Sequence, residues 1–573
     1  MSKPAILFED FTFTYKAQAE PTLSHICLSI RAGEKILIAG PSGSGKSTLA
    51  HCINGLIPHA FNGQIQGALS LMGADVRGMG IFAISKKVGT VLQDTDGQFV
   101  GLRAGEDIAF VAENDCIPTE EMHRRVEDVA KVVHLEDQLA KAPQHLSGGQ
   151  KQRVSLAGVL MDPVEILLFD EPLANLDPAT GQETIELIDR LHRETGKTII
   201  IVEHRVEDVL HRPVDRIVVM EQGRIKADLP PGELLAADIL RKTGIREPLY
   251  LSALRYAGTA ITREIQPETV AAVAFDPLQL KTWDQGIEDH PPEKSGPPLL
   301  MVKDVDFYYP QDLGKQPVLE GISFTITTGA WVSLVGKNGA GKSTLAKLIC
   351  GFNQPVSGSI WFEGQDLAAY SIKERAQWIG YVMQNPNQMI SFPLIFDEVA
   401  LGLRTRGIGE KEIHDRVMET LDICGLYPFR KWPVSALSYG QKKRLTIAAI
   451  LVLGPSLIIL DEPTAGQDFR HYGDIMEFLR KLNREQGMSF LFITHDMHLM
   501  LEYTQRALVL SERKLLGDDA PAAILTDHRM IEAASLKRTS LYDLALRAGM
   551  EDPLRFVRHF IDYERVQREA SPV

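Results

Sequence analysis

Cysteine is scarce in this sequence, basic residues are outnumbered, and long apolar runs are missing. Each shortage removes a class of function. The five cysteines (Cys27, Cys52, Cys116, Cys350 and Cys424) are scattered over 573 residues and never form a C-x-x-C pair. That pattern argues against a disulfide framework or a cysteine-held zinc, and reads as free thiols in a reducing compartment. Lysine and arginine number 61 against 75 acidic residues, a formal charge of −14. So acidic a chain is not expected to bind nucleic acid wholesale. The most apolar stretch, Thr446 to Leu460, is broken by Gly454-Pro455-Ser456. It falls short of the roughly 18–20 residues that a membrane span needs. The opening residues, Met1-Ser2-Lys3-Pro4 and then Glu9-Asp10, lack a secretory apolar core. The expectation is a cytosolic protein that reaches a membrane only through a partner.

What is present begins with a phosphate loop, Gly40-Pro41-Ser42-Gly43-Ser44-Gly45-Lys46-Ser47-Thr48, which fits G-x-x-x-x-G-K-[ST]. The apolar run Lys35–Ala39 before it reads as a buried strand, and the residues from Thr48 onward read as a helix. Glycines let backbone N–H groups curl around phosphate oxygens, and a helix N-terminus adds partial positive charge. Lys46 reaches outer phosphates, and the Ser47 hydroxyl suits Mg²⁺.

The loop recurs as Gly336-Lys337-Asn338-Gly339-Ala340-Gly341-Lys342-Ser343-Thr344, offset by 296. Leu146-Ser147-Gly148-Gly149-Gln150 returns as Leu437-Ser438-Tyr439-Gly440-Gln441, and Asp170-Glu171 as Asp461-Glu462, both offset by 291. A near-constant offset means a duplicated domain. The copies span 1–258 and 299–573, and 528–573 forms a helical tail in the second. Asp552-Pro553 reads as N-cap and first helical residue, ahead of an apolar stripe of Phe556, Val557, Phe560 and Ile561. That stripe suits docking on its own domain as well as contact between copies. Residues 259–298 hold six prolines, three basic and seven acidic residues and read as an extended linker. Continuous runs such as Leu167–Phe169 and Ile199–Val202 suit parallel strands buried on both faces, hence an α/β fold. Residues 101–142 read as a smaller, mostly helical lobe.

Asp170 and Asp461 close apolar strands, where an acid can hold Mg²⁺ directly or through water. Glu171 and Glu462 are then placed to orient or deprotonate a water. Gln93 and Gln384 follow short strands, and an amide there suits Mg²⁺ or its water, or simply a polar loop. His204 and His495 can hydrogen-bond a γ-phosphate, although a lone histidine is more often structural. Ser147 suits a helix cap, and the amides of Gly148 and Gly149 could face an anion. Tyr15 and Tyr309 could stack on adenine or be half-buried strand residues.

The order aromatic, phosphate loop, glutamine, LSGGQ, aspartate–glutamate, histidine resembles the ATP-binding-cassette (ABC) ATPases, and both copies match along nearly their full length. The resemblance implies two RecA-like cores, each with a helical signature lobe and a small antiparallel β lobe. It implies ATP and Mg²⁺ as ligands. Cassettes of that family pair head to tail, so each ATP lies between one cassette's phosphate loop and the other's signature. On that pattern Tyr15 and Tyr309 stack on adenine. Lys46, Ser47, Lys342 and Ser343 hold phosphates and Mg²⁺ with Asp170 and Asp461, and Gln93 and Gln384 sense the γ-phosphate and the membrane partner. Glu171 and Glu462 are the bases, and His204 and His495 the switches. Asp177 and Asp468 match the segment linking the sites. The Gly40 loop would be completed by Ser438, Tyr439, Gly440 and Gln441, and the Gly336 loop by Ser147 to Gln150.

Within the family the sequence is similar to the ATPases of energy-coupling-factor (ECF) importers of vitamins and transition metals. Val382–Met389, Phe396–Ala400 and Val202–Arg205 carry that likeness. Gly244–Leu249 resembles Gly549–Leu554, so each copy ends in a helical tail. The fused cassettes, Asn54–Pro58 and these paired tails look most like the duplicated ATPase of a thiamine-precursor (hydroxymethylpyrimidine) system. Implied partners are an integral membrane coupling protein and a substrate-binding membrane component, at the cytoplasmic face of the membrane. Three departures stand out. Tyr439 replaces a signature glycine, Gln93-Asp94-Thr95 faces Gln384-Asn385-Pro386, and Arg205 follows the first histidine where Asp496 follows the second. The two sites are expected to differ in rate.

Overall fold

The computed structural model describes residues 4–16, 18–92, 96–174, 176–289, 296–309, 317–464 and 469–570. The chain divides between Trp283 and Asp284 into two compact units.

In the first unit the apolar runs form a six-stranded sheet. Its order is Arg224–Leu229, Arg216–Glu221, Lys35–Ala39, Thr198–Val202, Ile166–Asp170, Val88–Val91. All neighbours run parallel except the first pair. Every residue of Lys35–Ala39, Ile166–Asp170 and Thr198–Val202 is buried, so an unbroken apolar sequence is the pattern this position demands. A separate antiparallel sheet orders Leu23–Arg31, Pro4–Tyr15, Gly63–Leu71 and Ala74–Asp75. Helices Ala104–Asn114, Thr119–Val133 and Gly148–Leu160 pack together as the helical lobe expected over 101–142 and the signature.

The second unit repeats this plan. Its core sheet runs Ile379–Val382, Leu457–Asp461, Ser489–Ile493, Trp331–Val335, Arg506–Ser511, Lys514–Asp519, beside a four-stranded antiparallel sheet. Its lobe is Ile395–Thr405, Glu410–Ile423 and Tyr439–Leu451. The last helix, Pro553–Ala570, starts as its sequence predicts: Asp552 accepts a hydrogen bond from the Arg555 N–H at 2.9 Å. Phe556, Val557, Phe560 and Ile561 are buried, and the helix packs on Met497–Tyr503, Pro521–Ile524 and Ser540–Arg547 of its own unit. The stripe docks in cis.

Much of the segment read as an extended linker is folded. Residues 290–295 lie outside the described residues. Before them, Ile261, Val273 and Leu280 are buried, and Pro277–Gln285 is a helix. In the first unit Tyr250 donates to the Pro267 carbonyl at 2.7 Å, and Arg263 pairs with Glu233 at 2.7 Å. In the second, His559 lies 2.9 Å from Asp284 and 3.0 Å from Asp289. Proline and acid counts signal a solvated tether, but buried Ile261, Val273 and Leu280 and these polar contacts fasten its parts.

Candidate active sites

Each phosphate loop sits between a buried strand and a helix: Lys35–Ala39 and Lys46–Ile53, then Trp331–Val335 and Lys342–Cys350. The turn into each helix is made by a left-handed glycine, Gly45 at φ 99° and Gly341 at φ 102°. A Cβ at Gly45 would also meet Leu23 Cδ2 at 2.9 Å, so the position admits only glycine. The Lys46 ammonium donates to the carbonyls of Gly40 and Pro41 at 2.7 and 2.9 Å, and Lys342 to those of Gly336 and Lys337 at 2.7 and 3.0 Å. Both cations are thereby held at the loop mouth. The remaining loop residues expected at the phosphates follow the same strand–turn–helix course, with Ser42, Gly43, Ser47, Lys337, Asn338 and Gly339 exposed and Ser44 buried.

Tyr15 ends strand Pro4–Tyr15, and its hydroxyl lies 3.2 Å from Thr48 Oγ1. Tyr309 follows strand Pro298–Phe307, with its hydroxyl 3.1 Å from Thr344 Oγ1. Both rings are half-buried and braced edge-on, by Phe13 and Phe307. They are half-buried, strand-associated tyrosines that neighbour the phosphate-loop helix.

Asp170 and Asp461 end the strands next to those preceding His204 and His495; Asp170 pairs in register with Val202 and Asp461 with Ile493. The following acids adopt left-handed backbone, Glu171 at φ 47° and Glu462 at φ 45°. Such strain in a non-glycine residue persists only where the surroundings hold it, here a hydrogen bond from each amide to Val202 or Ile493. Burial, with the neighbouring Glu171, pushes the Asp170 carboxyl up to about 6. Burial also raises Glu171, against the pull of His204, which moves this acid toward the range useful to a base near neutral pH.

The donor set fits Mg²⁺. In the second unit Ser343 Oγ lies 3.1 Å from Asp461 Oδ2, so a hydroxyl and a carboxylate already converge. In the first, Asp170 Oδ1 is buried with no hydrogen-bond partner among the described residues. One hydroxyl and one carboxylate, completed by water and phosphate oxygens, is how Mg²⁺ is commonly held in nucleotide sites. Gln384 lies just beyond strand Ile379–Val382, beside the Asp461 strand. Gln93 and Asp468 lie outside the described residues.

Both signature serines are caps. Ser147 Oγ accepts from the Gln150 N–H at 3.3 Å, and Gln150 Oε1 accepts from the Ser147 N–H at 3.0 Å; Ser438 and Gln441 repeat this at 3.3 and 2.9 Å. Gly149 is buried, and a Cβ there would clash with Thr180. Tyr439 is the first residue of helix Tyr439–Leu451, in the place of Gly148, and Gly440 follows it. Asp177 is buried and caps helix Pro178–Thr195, accepting from the Thr180 N–H at 2.9 Å.

Three side chains without an assigned role prove central. Glu203, fully buried, lies 3.0 Å from His204 Nδ1. Its signal was a charge closing an otherwise apolar strand. Tyr381 donates to Asp461 Oδ2 at 2.9 Å. Lys443, 1% exposed, donates to the carbonyls of Met383 and Glu462, each at 3.3 Å. Nothing in the basic run Lys442-Lys443-Arg444 marks which member turns inward.

A family model described as ABC transporter matches residues 23–174 and 319–465, and one described as ATP-binding cassette cobalt transporter matches 237–307. Relatives bearing the name ABC transporter ATP-binding protein match end to end. One from Clostridium perfringens is 56% identical over 571 residues, covering 99% of this chain and 100% of that protein. One from Enterococcus faecalis is 55% identical over 569 residues, with 99% and 100% covered. One from Vibrio parahaemolyticus is 52% identical over 568 residues, with 99% and 98% covered. Among solved structures, cbiO1 of Clostridium perfringens, part of the ABC transporter complex cbiONQ, is 30% identical. That match covers 41% of this chain and 94% of that one, with a TM-score of 0.38. With two complete sets of loop, acid pair and histidine behind these matches, the chain belongs to the ATP-hydrolysing proteins of ABC transporters, two cassettes on one polypeptide.

Proposed function

We propose that this protein is the energy-coupling ATPase of a membrane importer of the ECF type, seated at the cytoplasmic membrane face through integral membrane partners. The observation that carries the reading is that both units keep an intact loop, lysine, acid pair and histidine, so neither site is a relic. In each unit the loop amides and lysine hold the ATP phosphates. Ser47 and Asp170, or Ser343 and Asp461, with Gln93 or Gln384, would hold Mg²⁺, which when bound would neutralise phosphate charge. Glu171 and Glu462 take the proton of the attacking water, and His204 and His495 contact the γ-phosphate. Head-to-tail pairing of the cassettes would complete each site with the other unit's signature, with Asp177 and Asp468 between them. ATP binding would close the pair and hydrolysis would reopen it, moving the membrane partners.

The proposed cargo is a vitamin or its precursor, of the hydroxymethylpyrimidine kind. Cobalt is the second reading, favoured by the match over residues 237–307. The described residues include no helix long and apolar enough to cross a membrane. On the proposed reading, translocation is the work of the integral membrane partners.

The test joins Glu171→Gln with Glu462→Gln in the full chain. ATP binding should persist while hydrolysis stops; undiminished turnover would overturn the assignment. Purification from native membranes should bring an integral membrane partner and its cargo, whereas recovery with ribosomes would point instead to a soluble twin-cassette ABC factor acting on ribosomes or nucleic acid.

A further inference from the structure

The two histidine loops are built differently. In the second unit Thr494-His495-Asp496 ties itself down through Asp496, which accepts from the Thr464 hydroxyl at 3.3 Å and from the His498 N–H at 2.9 Å. His495 Nδ1 there lies 2.7 Å from Oε1 of the base, Glu462. The first unit has Glu203-His204-Arg205 at these positions and Leu173 in place of Thr464. The carboxylate has moved from after the histidine to before it. Glu203 Oε1 accepts from the N–H groups of His204 and Arg205 at 2.8 and 3.2 Å, and Oε2 from the Leu173 N–H at 3.3 Å. The Arg205 guanidinium donates to the Leu173 carbonyl. One buried carboxylate thus joins the histidine loop to the segment that follows Glu171.

We propose that Glu203 is a positioning residue of the first site, gripping the His204 ring through Nδ1 so that Nε2 is the nitrogen left for the nucleotide. This rests on the reading of His204 as the γ-phosphate contact. With Nδ1 3.0 Å from the Glu203 carboxylate and protonated toward it, the ring can donate from Nε2 as well only as the imidazolium. The charged groups facing the ring are Glu203 and Arg205 on its own loop and Glu171 on the neighbouring strand end. Burial opposes the cation, but the two carboxylates outweigh burial and raise His204. Glu203 itself, despite complete burial, is held at about 2 by His204, Arg205 and the backbone donors. The active form is therefore the one below the histidine's folded pKa. The second unit has threonine at the Glu203 position, so the device belongs to one site alone.

The experiment uses the full chain carrying Glu462→Gln, so that residual hydrolysis reports the first site. Adding Glu203→Gln should lower kcat about tenfold at pH 7.5, leave the ATP KM within about twofold, and move the alkaline limb of the rate profile acidward by about one unit. Activity should recover near pH 6, and Glu203→Asp should restore part of kcat. Binding of a fluorescent ATP analogue verifies that each variant is folded. An unmoved limb, or a loss equal at every pH, overturns the role of Glu203. A chain in which Glu171→Gln and Glu462→Gln together leave hydrolysis intact fails at the level of the underlying reading instead.

Discussion

Tyr381 donates its phenolic hydrogen to Asp461 at 2.9 Å, and the equivalent first-unit residue, Thr90, makes no such bond: its hydroxyl is buried without a partner among the described residues. The two carboxylates proposed to hold Mg²⁺ therefore differ in restraint. Asp461 is raised by burial and Glu462, but Tyr381 and Ser343 pull it back. Asp170 lacks both hydrogen bonds and stands at about 6. Tyr381→Phe removes one hydrogen bond to a charged group while keeping the ring. In a Glu171→Gln background, where the second site reports, the Mg²⁺ concentration for half-maximal hydrolysis should rise about tenfold. A titration of ATPase rate against Mg²⁺ reads this directly, and an unchanged midpoint would remove Tyr381 from the site.

Lys443 bears on stability. Burial lowers its ammonium to about 8, with Glu462 and Asp461 only partly compensating. Below pH 8 folded and unfolded chains are both protonated, and the cost of burying the cation is constant. Between 8 and 10.5 the unfolded chain holds a proton the folded chain has shed, so stability rises with pH by about 3 kcal/mol in all. The first unit solves the same position with Gln152, whose amide donates to the Pro172 carbonyl at 2.5 Å. Lys443→Gln should stabilise the second unit by about 1–3 kcal/mol at pH 7 and flatten its alkaline rise. Thermal melts from pH 7 to 10.5 test both parts.

The tail helix offers a packing test. Phe560 is buried against helices of its own unit, so Phe560→Ala removes a large side chain from a filled space. A loss of about 3–5 kcal/mol is expected in urea unfolding, on the transition of the second unit. A change below about 1 kcal/mol would mean that the helix is dispensable there.

Local features were legible from residue order. The phosphate loops depend on glycine φ angles and the strand–helix frame, both written into consecutive residues, so Gly40–Thr48 and Gly336–Thr344 were readable with their strands and helices. Asp552 as a cap and Ser147 with Gln150 as a capping pair are equally local. The linker was misjudged because composition averages over Ile261, Val273 and Leu280, whose burial depends on what the fold sets opposite them.

The sequence by itself determined the duplication, the α/β class and the chemical groups of each site, because periodicity and motif spacing are properties of neighbours along the chain. Tertiary structure alone decided how those groups are held. Tyr381 meets Asp461 only because strand Ile379–Val382 lies beside Leu457–Asp461. Lys443 touches the Glu462 carbonyl because a signature helix buries one face. Glu203 reaches Leu173 across two parallel strand ends. Each of these partnerships joins residues about 20 to 80 positions apart through sheet pairing or helix packing, and no local pattern encodes which side chain will face which.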